Sequence, residues 1–411
     1  MTAPFSIALT GQSLIRHDLR TATDYGLQNV VHLLTEADVA FTNLETTIYG
    51  RHGGWPLKGS YFGCAAPDVV AALKQMGFSI LALANNHAFD LGPSGILSTL
   101  EEASAQNFLH AGIGVDKHQA AMVGNKTFGS RTVGLVAMDA GPGPSFMYAE
   151  DASDGRMARP GVNRLKVSRS FDLQVEAFDC LRSIQRQFLS THLEHANYAQ
   201  PEDPPYLNST DEIDFYGTVF RRSDENARRI LVDRESASIQ LSAIEEEAKR
   251  GTFVIAYLHH HHWEPSWQQV PPWVQGFAHD CVDAGASLFV SHGAPVLQAI
   301  EIYRETPIFY GLGNFLFHTD HEETEWSPAE VWKSVIATCR FQASGRLQSI
   351  DLRPIVVGGT EALLDRRLKR LAFPVLAEGQ MADDILDDLT DRSAGFDTIL
   401  SHKDGIGRIS L

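Results

Sequence analysis

Short apolar runs alternate with helix-length segments along nearly the whole chain, and this rhythm restricts the fold more than any other feature. The runs Phe5–Thr10, Val39–Asn43, Ile80–Ala84, Thr132–Met138, Thr252–Leu258, Ser287–Ser291, Ile300–Tyr303, Ile308–Gly311, Val335–Phe341 and Leu347–Pro354 read as strands. Between them, Asn29–Ala37, Pro67–Met76, Pro93–Gln106, Ser170–Leu189, Ser236–Lys249, Pro272–Ala284 and Glu361–Ala372 read as helices. The first half is βαβαβ-like, which predicts parallel pairing. After Ala284 the strands follow too closely for crossover helices, which predicts antiparallel additions. The fold class is therefore α/β, and two packed sheets with helices outside accommodate the mixture.

The chain has 411 residues, 34 Lys+Arg and 51 Asp+Glu, for a net charge of −17. That acid excess argues against binding a phosphate backbone, so no nucleic-acid partner is expected. No apolar run reaches the roughly 18–20 residues that span a bilayer, so no membrane partner is expected. Met1–Thr10 lacks the basic start and long apolar core of a signal peptide. Cys64, Cys180, Cys281 and Cys339 are far apart and form neither a zinc pattern nor a disulfide framework. The expected compartment is the cytoplasm. Polar, proline-containing stretches near 141–160 and 195–222 read as insertions, and Met381–Leu411 reads as an acidic helix followed by a tail.

Several apolar strands end in polar clusters, where α/β proteins place their sites. These are Thr10-Gly11-Gln12-Ser13, Asn43-Leu44-Glu45, Asn85-Asn86-His87 leading to Asp90, the run His259–His262 with Trp263, Ser291-His292-Gly293 and Gly313-Asn314. Singly, Asn43 and Asn314 read as turn caps, and Asn85-Asn86-His87 as a helix opening. Jointly, carboxylate, amide oxygen and imidazole at several strand ends are what a divalent cation takes. In an extended run, His259 and His261 share one face and His260 and His262 the other, so one pair faces the site. We expect that pair to be His259 and His261. Trp263, Trp267 and Trp273 follow closely and suggest an aromatic-lined entrance.

In these segments the chain resembles the CapA family, proteins related to poly-γ-glutamate capsule biosynthesis. The resemblance is carried by Asn43-Leu44-Glu45, by Ala84-Asn85-Asn86-His87 to Gly92 with Thr99-Leu100, and by His110-Ala111-Gly112-Ile113-Gly114. Asp283-Ala284-Gly285-Ala286, Ile300-Glu301-Ile302-Tyr303 and Pro307 to Phe315 extend it to about residue 355. It implies a calcineurin-like metallophosphoesterase fold, a two-sheet α/β/β/α sandwich. It also implies a family domain over residues 1–355 with the insertions above, followed by a C-terminal helical extension and tail over 356–411.

The carry-over is incomplete. Where the family's first strand ends in Gly-Asp, this chain has Gly11-Gln12, and where a late histidine is expected it has Pro295. A dinuclear centre therefore loses a carboxylate and a histidine. The resemblance implies at most one divalent ion (Zn, Mn or Ca) held by Glu45, Asn86, His259, His261 and His292, or none. His87, His292 and Glu45 are the expected catalytic groups. Gln12, Asn43, His260, His262, Trp263 and Asn314 are expected to bind substrate, a small molecule or peptide. The implied activity is hydrolysis of an amide or ester bond with histidine acid–base chemistry. The alternatives are a metal-independent peptide epimerase or isomerase using His and Glu pairs, and a non-catalytic binding protein. Oligomeric state is left open.

Overall fold

A computed structural model describes residues 4–22, 24–188, 209–318, 328–358 and 373–409. The chain forms two compact units, Met1–Leu165 with Glu235–Leu411, and Lys166–Arg234. The expected helix Glu361–Ala372 lies outside the described residues.

The larger unit is built on two sheets. In one, Phe5–Leu14 pairs in parallel with Val39–Leu44, which continues to Ile80–Ala82 and Leu109–Ala111. On its other side Phe5–Leu14 runs antiparallel to Lys333–Phe341, which runs antiparallel to Leu347–Val357. Asn314–Phe317 also pairs in parallel with Phe5–Leu14. In the second sheet the order is Ile300–Tyr303, Thr306–Phe309, Leu288–His292, Phe253–His259, Arg131–Asp139 and Gly124–Phe128. Parallel strands dominate the early chain and antiparallel hairpins the late chain, following the spacing argument.

The sheets pack face to face through alternate residues. Phe253, Ile255 and Tyr257 belong to the same buried cluster as Phe5, Ile7, Leu9 and Phe41. Phe5 meets Phe253 at 5.3 Å between ring centroids and Phe41 meets Tyr257 at 5.6 Å. Val254, Ala256 and Leu258 are buried on the opposite face. Helices cover the outer faces: Tyr25–Glu36 packs on Val39–Leu44, and Pro272–Asp283 packs on Leu288–His292. This is the expected two-sheet α/β/β/α sandwich. Fully buried Phe and Ile side chains are each worth roughly 1.5–3 kcal/mol, so the inter-sheet layer is the main stabilising element.

Three local expectations change. Ser170–Leu189 is not one helix: Val167–Gln174 is a strand and the helix is Val175–Phe188. The polar residues Ser168, Ser170 and Asp172 alternate along that strand and favour it over a helix interior. In this smaller unit the strand is flanked by Thr218–Ser223 and Ala227–Val232, with Glu212–Phe215 outermost. Arg182 and Arg222 lie over the buried Phe178 ring. The stretch near 195–222 therefore includes sheet. Finally, the residues after the helix Gly379–Ala394 are no free tail. Leu400–Lys403 and Ile406–Ile409 form a hairpin, and Ile406–Ile409 pairs with Leu347–Val357, so residues beyond 355 join the main sheet. Leu400 and Ile409 are buried there, which the acid-rich composition of the preceding helix concealed.

Candidate active site

The site lies where the carboxyl ends of the strands of both sheets meet. Register puts His259 beside Asp139 on one side and His292 on the other. All three follow buried apolar residues that face the first sheet, so alternation aims their side chains inward. Opposite them, Gln12 pairs in register with Asn43 and with Asn314. Glu45 follows at once, its amide bonded to the Ser13 carbonyl at 3.0 Å.

The two sides touch. His259 Nε2 lies 3.0 Å from Asn86 Oδ1 and 3.7 Å from Glu45 Oε1. Ligand atoms of Glu45, His259 and His261 all lie within 4.8 Å of one another. His259 is fully buried and its ring is 5.2 Å from that of His261. His87 joins from the turn after Ile80–Ala82. Its amide donates to Asn85 Oδ1 at 3.0 Å, and its Nδ1 meets Asp90 Oδ2 at 2.7 Å. Asn85 in turn donates to Asn43 Oδ1 and to the Leu44 carbonyl.

Burial dominates the electrostatics. It pushes Glu45 up to about 8, with Lys58 opposing and Asp90 and Asp139 adding to the rise. It holds His259 well below its ordinary value and takes His261 and His292 down to about 3. Mutual repulsion with His87 lowers both His259 and His261 further. His87 itself is lowered, because burial outweighs its bond to Asp90. The imidazoles are therefore neutral near pH 7, the form that binds cations.

The donors fit a cation. Glu45 Oε2, His261 Nε2 and Asp139 Oδ1 are buried without a hydrogen-bond partner. Neither ring nitrogen of His292 makes a well-formed bond, although the Thr10 backbone lies close enough to favour its protonation. An unsatisfied buried carboxylate oxygen costs roughly 1–3 kcal/mol or more, so a cluster of such atoms points to something that satisfies them. Glu45, His259 and His261, with the Asn86 amide oxygen beside them, would hold one divalent ion, and His292 stands next to this set.

The expected substrate-binding residues divide. Trp263 lies beside the site, with its ring 4.7 Å from His261 and 5.2 Å from Trp267. His260 and His262 do not join the cluster. Both pack against Trp273, at 5.0 and 6.1 Å, and His262 Nε2 meets the Ala140 carbonyl. Alternation turned them to the other face. Gln12 Oε1 accepts from the Gly293 amide, Asn43 Oδ1 is taken by Asn85, and Asn314 Nδ2 donates to the Val331 carbonyl. These amides brace the loops, while Asn314 Oδ1 stays buried and unpartnered.

Asp139 was not singled out in the sequence. It is fully buried, and its Oδ2 accepts from the Gly141 amide and the Tyr148 hydroxyl, both at 3.0 Å. Burial takes it up to about 7. Its one signal was an acid directly ending the apolar run Val133–Met138. Lys58 was also unremarked. Its ammonium is 3.0 Å from Asp90 Oδ1. Nearby, Arg16, His17, Tyr49, Tyr61 and Cys64 line a cavity of about 360 Å³.

The family model for bacterial capsule synthesis protein PGA_cap matches residues 6–319. The chain belongs to this family. An uncharacterized protein of Sinorhizobium fredii, y4sH, is 27% identical over 99% of this chain and 93% of its own length. The capsule biosynthesis protein CapA of Bacillus anthracis is 22% identical over 72% of this chain, which spans 55% of that PGA_cap relative. Among solved structures, a 5'-nucleotidase precursor from Thermus thermophilus aligns at 10% identity and a TM-score of 0.35, over 86% of this chain and 54% of that one. The site residues Gln12 to His292 all fall inside the PGA_cap match. Among the described residues, no helix of this PGA_cap member is long and apolar enough to cross a membrane.

Proposed function

We propose that this PGA_cap protein is a hydrolase of an amide or ester bond, working at one divalent-cation site beside a histidine proton carrier. The observation that carries the reading is the convergence of Glu45, His259 and His261 within 4.8 Å, with buried atoms lacking partners, next to the His87–Asp90 pair. Kinship with capsule biosynthesis proteins supports an amide-linked polymer or its fragments as the substrate class.

When bound, a divalent ion supplies Lewis acidity and makes a nucleophile available at neutral pH. The chain's own groups do the rest. Asp90 accepts from His87 Nδ1–H and so leaves Nε2 as the proton acceptor. Because burial keeps His87 neutral, it first takes a proton from the nucleophile and then returns it to the leaving group. Trp263, tilted against His261 with ring centroids 4.7 Å apart, would wall the entrance on that side. The cavity lined by Arg16, Tyr49 and Tyr61 is large enough for an amino-acid-sized group of the substrate.

The test combines metal analysis with turnover. The purified chain should hold about one equivalent of Zn, Mn or Ca and should hydrolyse p-nitrophenyl acetate or a glutamyl p-nitroanilide. Chelation should abolish turnover, and p-nitrophenyl phosphate should be the poorer substrate. Two ions per chain would remove the mononuclear assignment. A metal-free chain that exchanges solvent deuterium into a peptide Cα, without hydrolysis, would replace the reading by isomerisation.

A further inference from the structure

Residues 49–63 carry no regular secondary structure, yet they run along the Asn86–Leu91 turn and touch it repeatedly. Gly54 comes so close that a Cβ there would lie 2.5 Å from the Leu91 carbonyl oxygen. The Leu57 amide donates to the Asp90 carbonyl at 2.8 Å. Lys58 Nζ donates to the Asn86 carbonyl at 2.7 Å and pairs with Asp90 Oδ1 at 3.0 Å. Phe62 sets its ring against that of His87, at 5.6 Å. At Gly63 a Cβ would fall 2.3 Å from both Asp90 Oδ2 and His87 Nδ1. The outer side chains meanwhile face solvent: Trp55 is 79% exposed and Leu57 53%. The segment is held by the turn, and near its start by Arg51 and His52 against Glu101, rather than by a core of its own.

The Asp90 carboxylate is divided between two partners. Oδ2 serves His87 and Oδ1 serves Lys58. A half-exposed ammonium contributes little to global stability through such a pair. Its effect is local, because Asp90 is only 3% exposed and a buried carboxylate oxygen needs a partner. Without Lys58 the carboxylate is free to turn, and the imidazole it orients can change tautomer or rotate. The second Lys58 bond fixes the Asn86 backbone, and the Asn86 side chain touches His259.

We propose that Lys58 is a positioning residue: by bonding Asp90 Oδ1 and the Asn86 carbonyl together, it locks the His87 imidazole in one orientation, with Gly63 closing the third side. This rests on the reading of His87 as proton carrier. The residue acts through Asp90 and touches no reacting atom.

The experiment uses the full chain labelled with 15N-histidine, in wild type, Lys58→Met and Lys58→Arg. The His87 ring signals are assigned by their loss in His87→Gln. Wild type should show one neutral tautomer protonated at Nδ1. Lys58→Met should show signals averaged between the two tautomers, and Lys58→Arg should restore the wild-type pattern. With p-nitrophenyl acetate, Lys58→Met should lose about tenfold or more in kcat at unchanged KM. A wild-type His87 signal in folded Lys58→Met overturns the proposal. If Lys58→Met does not fold, Lys58→Gln, which keeps a donor for the Asn86 carbonyl, is read by the same criterion. Should wild type turn over no probe, the hydrolase reading fails, and the tautomer comparison alone still decides the role of Lys58.

Discussion

His259 Nε2 and Asn86 Oδ1 are 3.0 Å apart although 173 residues separate them, and this bond closes the two halves of the candidate site on each other. His259 ends a central strand of the second sheet, while Asn86 stands on the turn after a strand of the first. A bond across the mouth of the sandwich makes the cluster sensitive to changes in either sheet.

The pH dependence of the cation-free chain follows from the shifted groups. Glu45 rises from 4.5 to about 8 and Asp139 from 3.8 to about 7. The folded chain then binds more protons than the unfolded chain in that window, so these two groups lose stability as pH rises through it. His259, His261 and His292 fall below 6.5, so their contribution is lost as pH falls below about 6.5. Stability should peak near neutrality and decline toward pH 8. A divalent ion binds the deprotonated carboxylate, so the rise in Tm on adding it should be larger at pH 8 than at pH 6. Calorimetry at both values checks this, and an equal rise would refute the assignment of Glu45 as ligand.

The histidine run should separate by parity. His261→Leu should cut metal content to below about a tenth, because it deletes a ligand atom of the cluster. His260→Phe should retain the metal, since that ring packs on Trp273 outside the cluster. Trp273→Ala should lower stability by about 3 kcal/mol, the low end for a tryptophan because this ring is half-buried, through the lost ring contacts with His260 and His262, again with metal retained. Equal metal loss in His260→Phe and His261→Leu would contradict the geometry.

His87→Gln and Asp90→Asn should both depress turnover, by about 10²–10⁴-fold for His87, while one equivalent of metal remains. Single-turnover rates and metal content measured on one preparation separate this from a structural role. Loss of stability with an unchanged rate would take His87 out of the chemistry.

Gly293→Ala should be severely destabilising. Its φ is +130°, and a Cβ would fall 1.8 Å from the His260 carbonyl oxygen. Moving the loop to relieve that clash would pull the Gly293 amide off Gln12 Oε1 and shift the neighbouring His292, so the variant should fail in both solubility and metal content. A variant with wild-type Tm would show that the loop has room the structure does not indicate.

Much of the frame was legible in the sequence. Apolar runs and their spacing determined the α/β class and the switch from parallel to antiparallel pairing, because burying a strand on both faces demands a continuous apolar run. The motif residues Glu45, Asn86, His87 and His292 were recognisable from their place after such runs. Parity along an extended run divided His259 and His261 from His260 and His262, and packing brought the first pair beside Glu45.

Only the tertiary structure decided the rest. Asp139 entered the site because register set it beside His259, and nothing local marks an acid at a strand end as buried. Asn43 and Gln12 became braces because the nearest partners of their side-chain oxygens are Asn85 and the Gly293 amide, which arrive from elsewhere in the chain. Lys58 met Asp90 because the segment before Gly63 folds over the turn, which no periodicity predicts. The hairpin Leu400–Lys403 and Ile406–Ile409 joined the main sheet through Leu347–Val357, a partner more than forty residues away in sequence. Periodicity reports which face of an element is buried, whereas a site depends on which faces meet, and that is settled by packing between residues far apart in the chain.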